Sequence, residues 1–136
     1  MKVFRPLLIL CFTALLLVIA VPAAARSNSP FVGNWRATDV FDGSNLSLWI
    51  TQDGWSGGRL LHVRVSDDAT LEWCGGPAKG EAIGIQQEEA ILTLSGTWWC
   101  LDPSGSPVPF TAGTLTFNEV SDTITDQDGT VYYRGR

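Results

Sequence analysis

The residues of this chain that could do chemistry are one histidine and a few acidic clusters. His62 lies beside Arg64 on the polar phase of its strand, and no Ser or Cys nucleophile accompanies it in a recognisable motif. The pairs Asp67-Asp68 and Glu88-Glu89 are predicted at hairpin tips, where water screens like charges. The sequence therefore predicts no catalytic residues, and we expect a protein that is not an enzyme.

Metal and cofactor chemistry find equally little support. The run Asp126-Gln127-Asp128-Gly129 lacks the further acidic ligand and the distal glutamate of a calcium loop, so it predicts a turn. Cys74 and Cys100 have no second ligand at metal spacing, and His62 is the single histidine. We expect no metal site and no cofactor.

The N-terminal 25 residues have the composition of a secretory signal peptide. Lys2 and Arg5 precede an apolar run over residues 7–21, and Ala23 and Ala25 predict cleavage after residue 25, with an uncleaved anchor as the alternative. The remaining 111 residues carry 7 basic and 14 acidic residues. A soluble protein in the extracellular space or periplasm is expected, monomeric and without nucleic acid or membrane as partner.

Cysteine usage supports export and predicts one disulfide. Cys11 leaves with the signal peptide, and an exported chain with two remaining cysteines usually pairs them. Cys74 and Cys100 flank two short alternating runs, residues 82–86 and 90–94, which predict a hairpin with its open end pinned. Closing that loop should stabilise the fold by about 3.5 kcal/mol.

Alternating apolar residues and regularly spaced turn signals predict an all-β fold. After a mobile leader over residues 26–31, a single domain over residues 32–136 is expected to form an antiparallel meander of eight or nine strands. A sheet of that length closes into an up-and-down barrel, with a β-sandwich as the alternative. The predicted strand pairs place Ile50 opposite Leu61, Ile85 opposite Leu92 and Ile124 opposite Tyr133. Turns are predicted at residues 66–68 and, as a looser loop, at 88–89. The predicted interior lining is Leu46, Leu48, Leu61, Val63, Ile83, Ile85, Leu92 and Leu94.

Six tryptophans are many for so short a chain. Trp35 and Trp73 fall on apolar phases and predict core packing, whereas Trp49 falls on the outward phase of its strand. Of two consecutive tryptophans one must point outward in any register. Outward aromatic side chains either cover neighbouring residues or form contact surfaces for sugars, apolar ligands and partners. The tryptophans predicted to bind a ligand are Trp35, Trp49, Trp55, Trp98 and Trp99.

The start of the first strand resembles a known group of barrels. Gly33-x-Trp35 is similar to the glycine-x-tryptophan signature of the calycins, the lipocalins and avidins, and residues 43–48 resemble the second-strand segment of avidins. The resemblance implies a barrel plugged at one end by Trp35, with a small molecule inside. Of the avidin ligand contacts only Ser44 carries over, so biotin is not implied. The pattern is also similar to small uncharacterised secreted bacterial proteins.

Two functions remain as expectations. The first is non-enzymatic binding of a small apolar or aromatic ligand, or of a sugar. The alternative follows from a further resemblance, to secreted lipocalin-like inhibitors of metalloproteases with one disulfide. That resemblance implies inhibition through the N-terminal leader, residues 26–31. The partner is accordingly an unidentified small molecule or protein.

Overall fold

Eight antiparallel strands follow one another around a closed barrel in the computed structural model. The structure describes residues 28–52, 54, 59–70, 74–101, 105 and 107–135, so the predicted signal peptide lies outside the described residues. The strands are β1 (Gly33–Thr38), β2 (Asn45–Gln52), β3 (Leu60–Thr70), β4 (Gly76–Glu88), β5 (Ile91–Cys100), β6 (Pro107–Asn118), β7 (Thr123–Asp126) and β8 (Val131–Arg134). Each strand pairs with the next, and β8 pairs with β1. The predicted all-β meander and up-and-down barrel are confirmed.

The register of β2 and β3 differs from the predicted one by two residues. Ile50 lies opposite Val63, and not opposite Leu61. A shift of two preserves the side on which each residue points, so all three side chains remain buried as expected. The predicted turn at residues 66–68 is wrong, because β3 continues to Thr70 with a register shift between Asp67 and Thr70.

The register of β4 and β5 differs by one residue, and this reverses both faces of β4. Ile85 lies opposite Thr93, and not opposite Leu92. Ile83 and Ile85 are therefore exposed on the outside of the barrel, and their predicted place in the interior lining is wrong. Gly84, which lies between them, occupies the interior face instead.

A tight turn at residues 89–90 produces this register. Glu88 pairs with Ile91, and the pairing slips by one residue between Gln86 and Glu88, as happens where a β-bulge inserts an extra residue. The Gln86 side-chain amide donates a hydrogen bond of 3.1 Å to the Glu89 carbonyl and stabilises the turn. The looser loop predicted here is wrong, because the bulge compensates for residues that suit a two-residue turn poorly.

The last hairpin confirms the turn predicted at residues 126–129 and corrects its register. Gly129 N–H donates to the Asp126 carbonyl at 3.2 Å. Ile124 lies opposite Tyr132, and not opposite Tyr133. Tyr132 is consequently buried in the barrel, while Tyr133 points to solvent.

An aromatic cluster fills one end of the barrel, which we call the closed end. Phe31 and Trp35 are fully buried, and both meet Phe117 edge to face at centroid distances of 6.0 and 6.3 Å. The Arg134 guanidinium lies 4.0 Å from the Trp35 ring centroid. Phe31 belongs to the leader predicted to be mobile, but residues 29–31 pack on the barrel and Ser29 N–H donates to Gln52 Oε1 at 3.1 Å.

The predicted disulfide is confirmed and lies near the opposite end of the barrel. Cys74 and Cys100 are bonded, with their Cα atoms 5.2 Å apart. The bond ties the turn that precedes β4 to the last residue of β5. Within the described ranges, no helix has the length and apolar character that crossing a membrane requires.

Candidate ligand-binding cavity

A cavity of about 360 Å³ occupies the barrel interior at the end opposite the closed end. This open end is formed by the β1–β2 turn, the β7–β8 turn and the termini of β3 and β5. The apolar lining comes from inward-facing side chains of five strands and from three aromatic residues. It consists of Leu46, Val63, Val65, Ala82, Leu94, Leu115, Phe41, Trp98 and Tyr132.

Small residues on the interior face of β4 let neighbouring side chains of the cavity wall pack against its backbone. That face presents Ala78, Gly80, Ala82 and Gly84, where a barrel strand usually carries larger apolar side chains. A Cβ added at Gly80 would lie 2.6 Å from Val65 Cγ1 and 3.2 Å from Trp98 Cδ2, so those two side chains use the space of the missing one. The glycine thus allows the Trp98 ring to lie directly against the β4 backbone.

Five carboxylates surround the apolar walls at the open end, and we call them the acidic rim. The rim consists of Asp39, Asp42, Asp67, Asp126 and Asp128. None of the described residues that line the cavity is a lysine, an arginine or a histidine. The site therefore combines an apolar interior with a rim of one charge sign.

Asp126 is held in place by three hydrogen bonds. Its Oδ1 accepts from Thr130 N–H at 2.8 Å and from Asp128 N–H at 3.0 Å, and its Oδ2 accepts from the Tyr132 hydroxyl at 3.1 Å. Burial of the phenol, together with the nearby Asp126 carboxylate, raises the pKa of Tyr132 far above its ordinary value. Tyr132 therefore stays protonated at physiological pH and acts as a hydrogen-bond donor to the rim.

Asp67 is the most deeply buried carboxylate of the rim, with 3% of its surface exposed. It continues the inward phase of β3 after Val63 and Val65, and it lies opposite Leu46. Its Oδ1 accepts a hydrogen bond of 3.0 Å from Ala69 N–H. Within the described part of the chain it forms no salt bridge, since the ion pairs found there join Arg64 to Glu81 and Arg134 to Asp122.

A second concavity, which we call the outer groove, lies on the outside of β2 to β5. Trp49 and Trp99 border it, together with His62, Arg64 and Ile83. Trp49 is 62% exposed and stands opposite Arg64 in the neighbouring strand. This face is open to solvent and mixes both charge signs with apolar surface.

The structure distributes the predicted ligand-binding residues over three places. Trp98 lines the cavity, Trp35 fills the closed end, and Trp49 and Trp99 border the outer groove. Ser44 is buried, and its Oγ has no hydrogen-bond partner among the described residues. Trp55, and Trp73 of the predicted core, lie outside the described residues.

Sequence reasoning missed the residues that give the cavity its character. Asp67 was assigned to a hairpin tip with Asp68, although it continues the inward alternation of Leu61, Val63 and Val65, and that phase was the available signal. Tyr132 was missed because the last hairpin was predicted one residue out of register. His62 is exposed on the outer face, and Glu88 and Glu89 are exposed at the predicted hairpin tip.

The carboxylates of the rim do not cluster as metal ligands do. Among the described residues there is no group of three or more His, Cys, Asp or Glu side chains arranged to hold a metal ion.

Comparisons with protein-family models, with curated protein sequences and with solved structures found no match for this chain.

Proposed function

We propose that this chain is a secreted, non-enzymatic protein that binds one small apolar or aromatic molecule inside its barrel. The observation that carries the proposal is the cavity of about 360 Å³ with apolar walls. Small-molecule pockets are commonly about 300 to 1,000 Å³, whereas a water molecule needs roughly 30 Å³. The disulfide supports a location outside the reducing cytosol, which agrees with the proposed secretion.

The aromatic residues at the cavity favour a ligand with a flat or aromatic body. Trp98 is half-buried and packs against the core while it lines the cavity, and Tyr132 lines the same space from β8. Aromatic rings stack on such side chains in offset or edge-to-face geometry and gain more than their buried area alone provides. A ligand ring in contact with either residue would combine apolar burial with that directional contact.

The geometry of the closed end supports a calycin-type barrel. Trp35, from the Gly33-x-Trp35 signature, closes the barrel at the end where β1 begins, as the resemblance implies. With that end filled by Trp35, Phe31 and Phe117, a ligand would reach the interior from the open end. Ligand access past Trp35 is less favourable, because that side chain is fully buried.

Protease inhibition through residues 26–31 has less support. Phe31 is fully buried in the core, and its carbonyl accepts a hydrogen bond of 2.8 Å from Trp35 Nε1. Arg134 Nη2 donates to the Pro30 carbonyl at 3.0 Å. A leader that entered a protease cleft would have to break these contacts and expose an aromatic core residue, so we favour ligand binding.

The proposal is tested with the neutral apolar dye N-phenyl-1-naphthylamine, whose fluorescence rises when it leaves water. We expect saturable enhancement with the wild-type protein. Val65→Phe enlarges an inward side chain of the cavity wall and should abolish the enhancement, because the added ring occupies the space that the dye needs. Ala82→Leu is a second cavity-filling variant, and circular dichroism verifies the fold of both.

The matched control for location is Trp49→Ala, which removes an aromatic side chain from the outer groove. If the dye binds in the cavity, Trp49→Ala should bind it with the affinity of the wild type. Loss of dye binding in Trp49→Ala but not in the folded cavity-filling variants would place the site outside, where sugars or a protein partner would also bind. No binding of the dye by the folded wild type would contradict the proposal.

A further inference from the structure

We propose that the cavity selects an organic cation, a protonated amine or quaternary ammonium group attached to an apolar or aromatic body. The inference rests on the proposed function and specifies its ligand class. It is carried by the combination of an apolar cavity, a rim of carboxylates, and a buried charge without a cationic partner among the described residues.

Asp67 is the residue on which the inference chiefly depends. A carboxylate loses its hydration when it is buried, and proteins usually compensate for that loss with a cation or with several hydrogen bonds. Asp67 is almost fully buried and accepts one hydrogen bond from its own strand, while Leu46 and Ala78 lie opposite it. The position follows three apolar residues on the same face, so folding alone would favour an apolar side chain here.

The surroundings of Asp67 are suited to a positively charged group. The other rim carboxylates stand at the same end of the cavity, and no basic side chain occurs among its described lining residues. Because the walls have a low dielectric constant, they screen these charges less than water does. An ammonium group at the rim would therefore be attracted by several carboxylates, and an anionic ligand would be repelled by all of them.

The aromatic side chains reinforce this choice. Cations are attracted to the electron-rich faces of tryptophan and tyrosine, and cages of such rings bind quaternary ammonium groups. Trp98 and Tyr132 line the same cavity as the rim. The Tyr132 hydroxyl donates a hydrogen bond of 3.1 Å to Asp126, which holds the carboxylate in place while the tyrosine ring lines the cavity. The acidic rim and the aromatic rings are thus preorganised for a ligand.

The test compares three probes that share one apolar body and differ in charge: 3-phenylpropylammonium, 3-phenylpropan-1-ol and 3-phenylpropanoate. Isothermal titration calorimetry of the wild-type protein should give a dissociation constant for the amine about ten-fold below that of the alcohol. A difference of this size is what one charge-assisted hydrogen bond contributes. The carboxylate should bind most weakly of the three.

Asp67→Asn removes the buried charge and retains a side-chain oxygen that can accept from Ala69 N–H. We expect it to weaken amine binding about ten-fold and to leave alcohol binding unchanged. Glu88→Gln removes an equal charge at the other end of the barrel, from an exposed side chain, and should change neither affinity. If Asp67→Asn does not fold, Asp128→Asn at the exposed part of the rim should weaken amine binding about three-fold.

The outcomes separate this inference from the proposed function. Equal affinity for amine and alcohol, or preference for the carboxylate, overturns the cation inference and leaves ligand binding in the cavity intact. If the protein binds none of the three probes and does not bind the neutral dye, both the cation inference and the proposed function are overturned. A further outcome concerns calcium ions, added as calcium chloride. If the wild type binds them but does not bind the amine, and Asp67→Asn abolishes calcium binding, the rim is a site for an inorganic ion and the organic-cation inference is overturned.

Discussion

At the scale of single residues, glycines decide how closely the strands of this barrel approach. Gly96 in β5 lies opposite Ala82 in β4, and a Cβ added to it would overlap the Glu81 carbonyl oxygen and lie 2.7 Å from Ala82 Cα. Those are backbone atoms of a central strand, so they cannot move aside as a flexible side chain does. Only a residue without a side chain fits at this position opposite Ala82.

Gly96→Ala should therefore lower the free energy of unfolding by about 2 kcal/mol, the usual cost of forcing an extra carbon into a packed position. The matched control is Gly76→Ala in β4, where an added Cβ meets no heavy atom within 4 Å. That change should stay within about 0.5 kcal/mol of the wild type. Urea unfolding measures both, and equal stability of the two variants would show that the strands adjust freely at Gly96.

A second residue with a local consequence is Asp122, in the turn before β7. Arg134 donates to both of its carboxylate oxygens, and this lowers the pKa of Asp122 below its ordinary value of 3.8. Asp122 has a φ of 49°, a conformation that asparagine also tolerates. Asp122→Asn thus removes the charge with little change to the backbone.

The lowered pKa fixes the sign of the pH dependence. The carboxylate binds protons more weakly in the folded chain than in the unfolded one, so its stabilising contribution is complete above pH 3.8 and is lost as pH falls through the lowered pKa. The stability difference between wild type and Asp122→Asn should be constant near neutral pH and vanish in acid. Glu119→Gln, an exposed carboxylate of the same turn, is the control; an identical pH profile for both variants would contradict the assignment.

At the scale of strands, the sequence predicted which segments form strands better than it predicted the register in which they pair. The faces of β2 and β3 were correct although their register was two residues off, because alternation has a period of two. In β4 an error of one residue reversed the faces, and two exposed isoleucines were assigned to the interior. Isoleucine, alanine and glycine all fit the alternating pattern there. The deciding feature was the bulge beside the turn at residues 89–90, which carries no strong sequence signal.

The candidate site was predictable in part for the same reason. The interior positions of β2 and β3 followed from alternation, which also required one of Trp98 and Trp99 to point inward without deciding which. The cavity itself did not follow from alternation, since its wall includes Ala82, which lies inward in the observed register of β4 and not in the predicted one. The acidic rim was also missed, because turns that are distant along the chain meet only when the barrel closes.

The disulfide stabilises the elements around the open end. Replacing Cys74 and Cys100 together by alanine should lower the free energy of unfolding by about 3.5 kcal/mol, because the unfolded chain regains the entropy of a loop of about 27 residues. Chemical denaturation with and without a reducing agent measures this. Reduced wild type is the control and should match the double variant, and a loss below about 1 kcal/mol would mean that the bond constrains the unfolded chain little.

At the scale of the whole molecule, the barrel has two unlike ends and one short closing seam. The closed end is filled with aromatic residues and the open end holds the cavity and the rim. Strands β7 and β8 have four residues each, and β8 meets β1 in two register pairs, Trp35 with Arg134 and Arg36 with Tyr133. This seam completes the sheet and removes its edges, so its strength decides whether the barrel stays closed.

Arg134 is the residue that holds the seam together. Its guanidinium lies over the Trp35 ring, donates to the Val32 carbonyl at 2.8 Å and to the Pro30 carbonyl at 3.0 Å, and pairs with Asp122. One side chain therefore connects the segment before β1, the start of β1 and the turn before β7. Removing it affects contacts between the two ends of the described chain rather than contacts within one hairpin.

Arg134→Ala should lower the free energy of unfolding by about 2 kcal/mol, since a cation–π contact and hydrogen bonds from a charged donor are lost. Hydrogen exchange should accelerate chiefly in β1 and β8, with β3 and β4 still protected, because the seam opens before the long central strands separate. Arg36→Ala is the matched control, since it removes an equal charge from an exposed position of the same seam. Its exchange pattern should match the wild type. Uniform acceleration along the chain in Arg134→Ala would instead mean that the barrel unfolds as one unit and that the seam is no weaker than the rest.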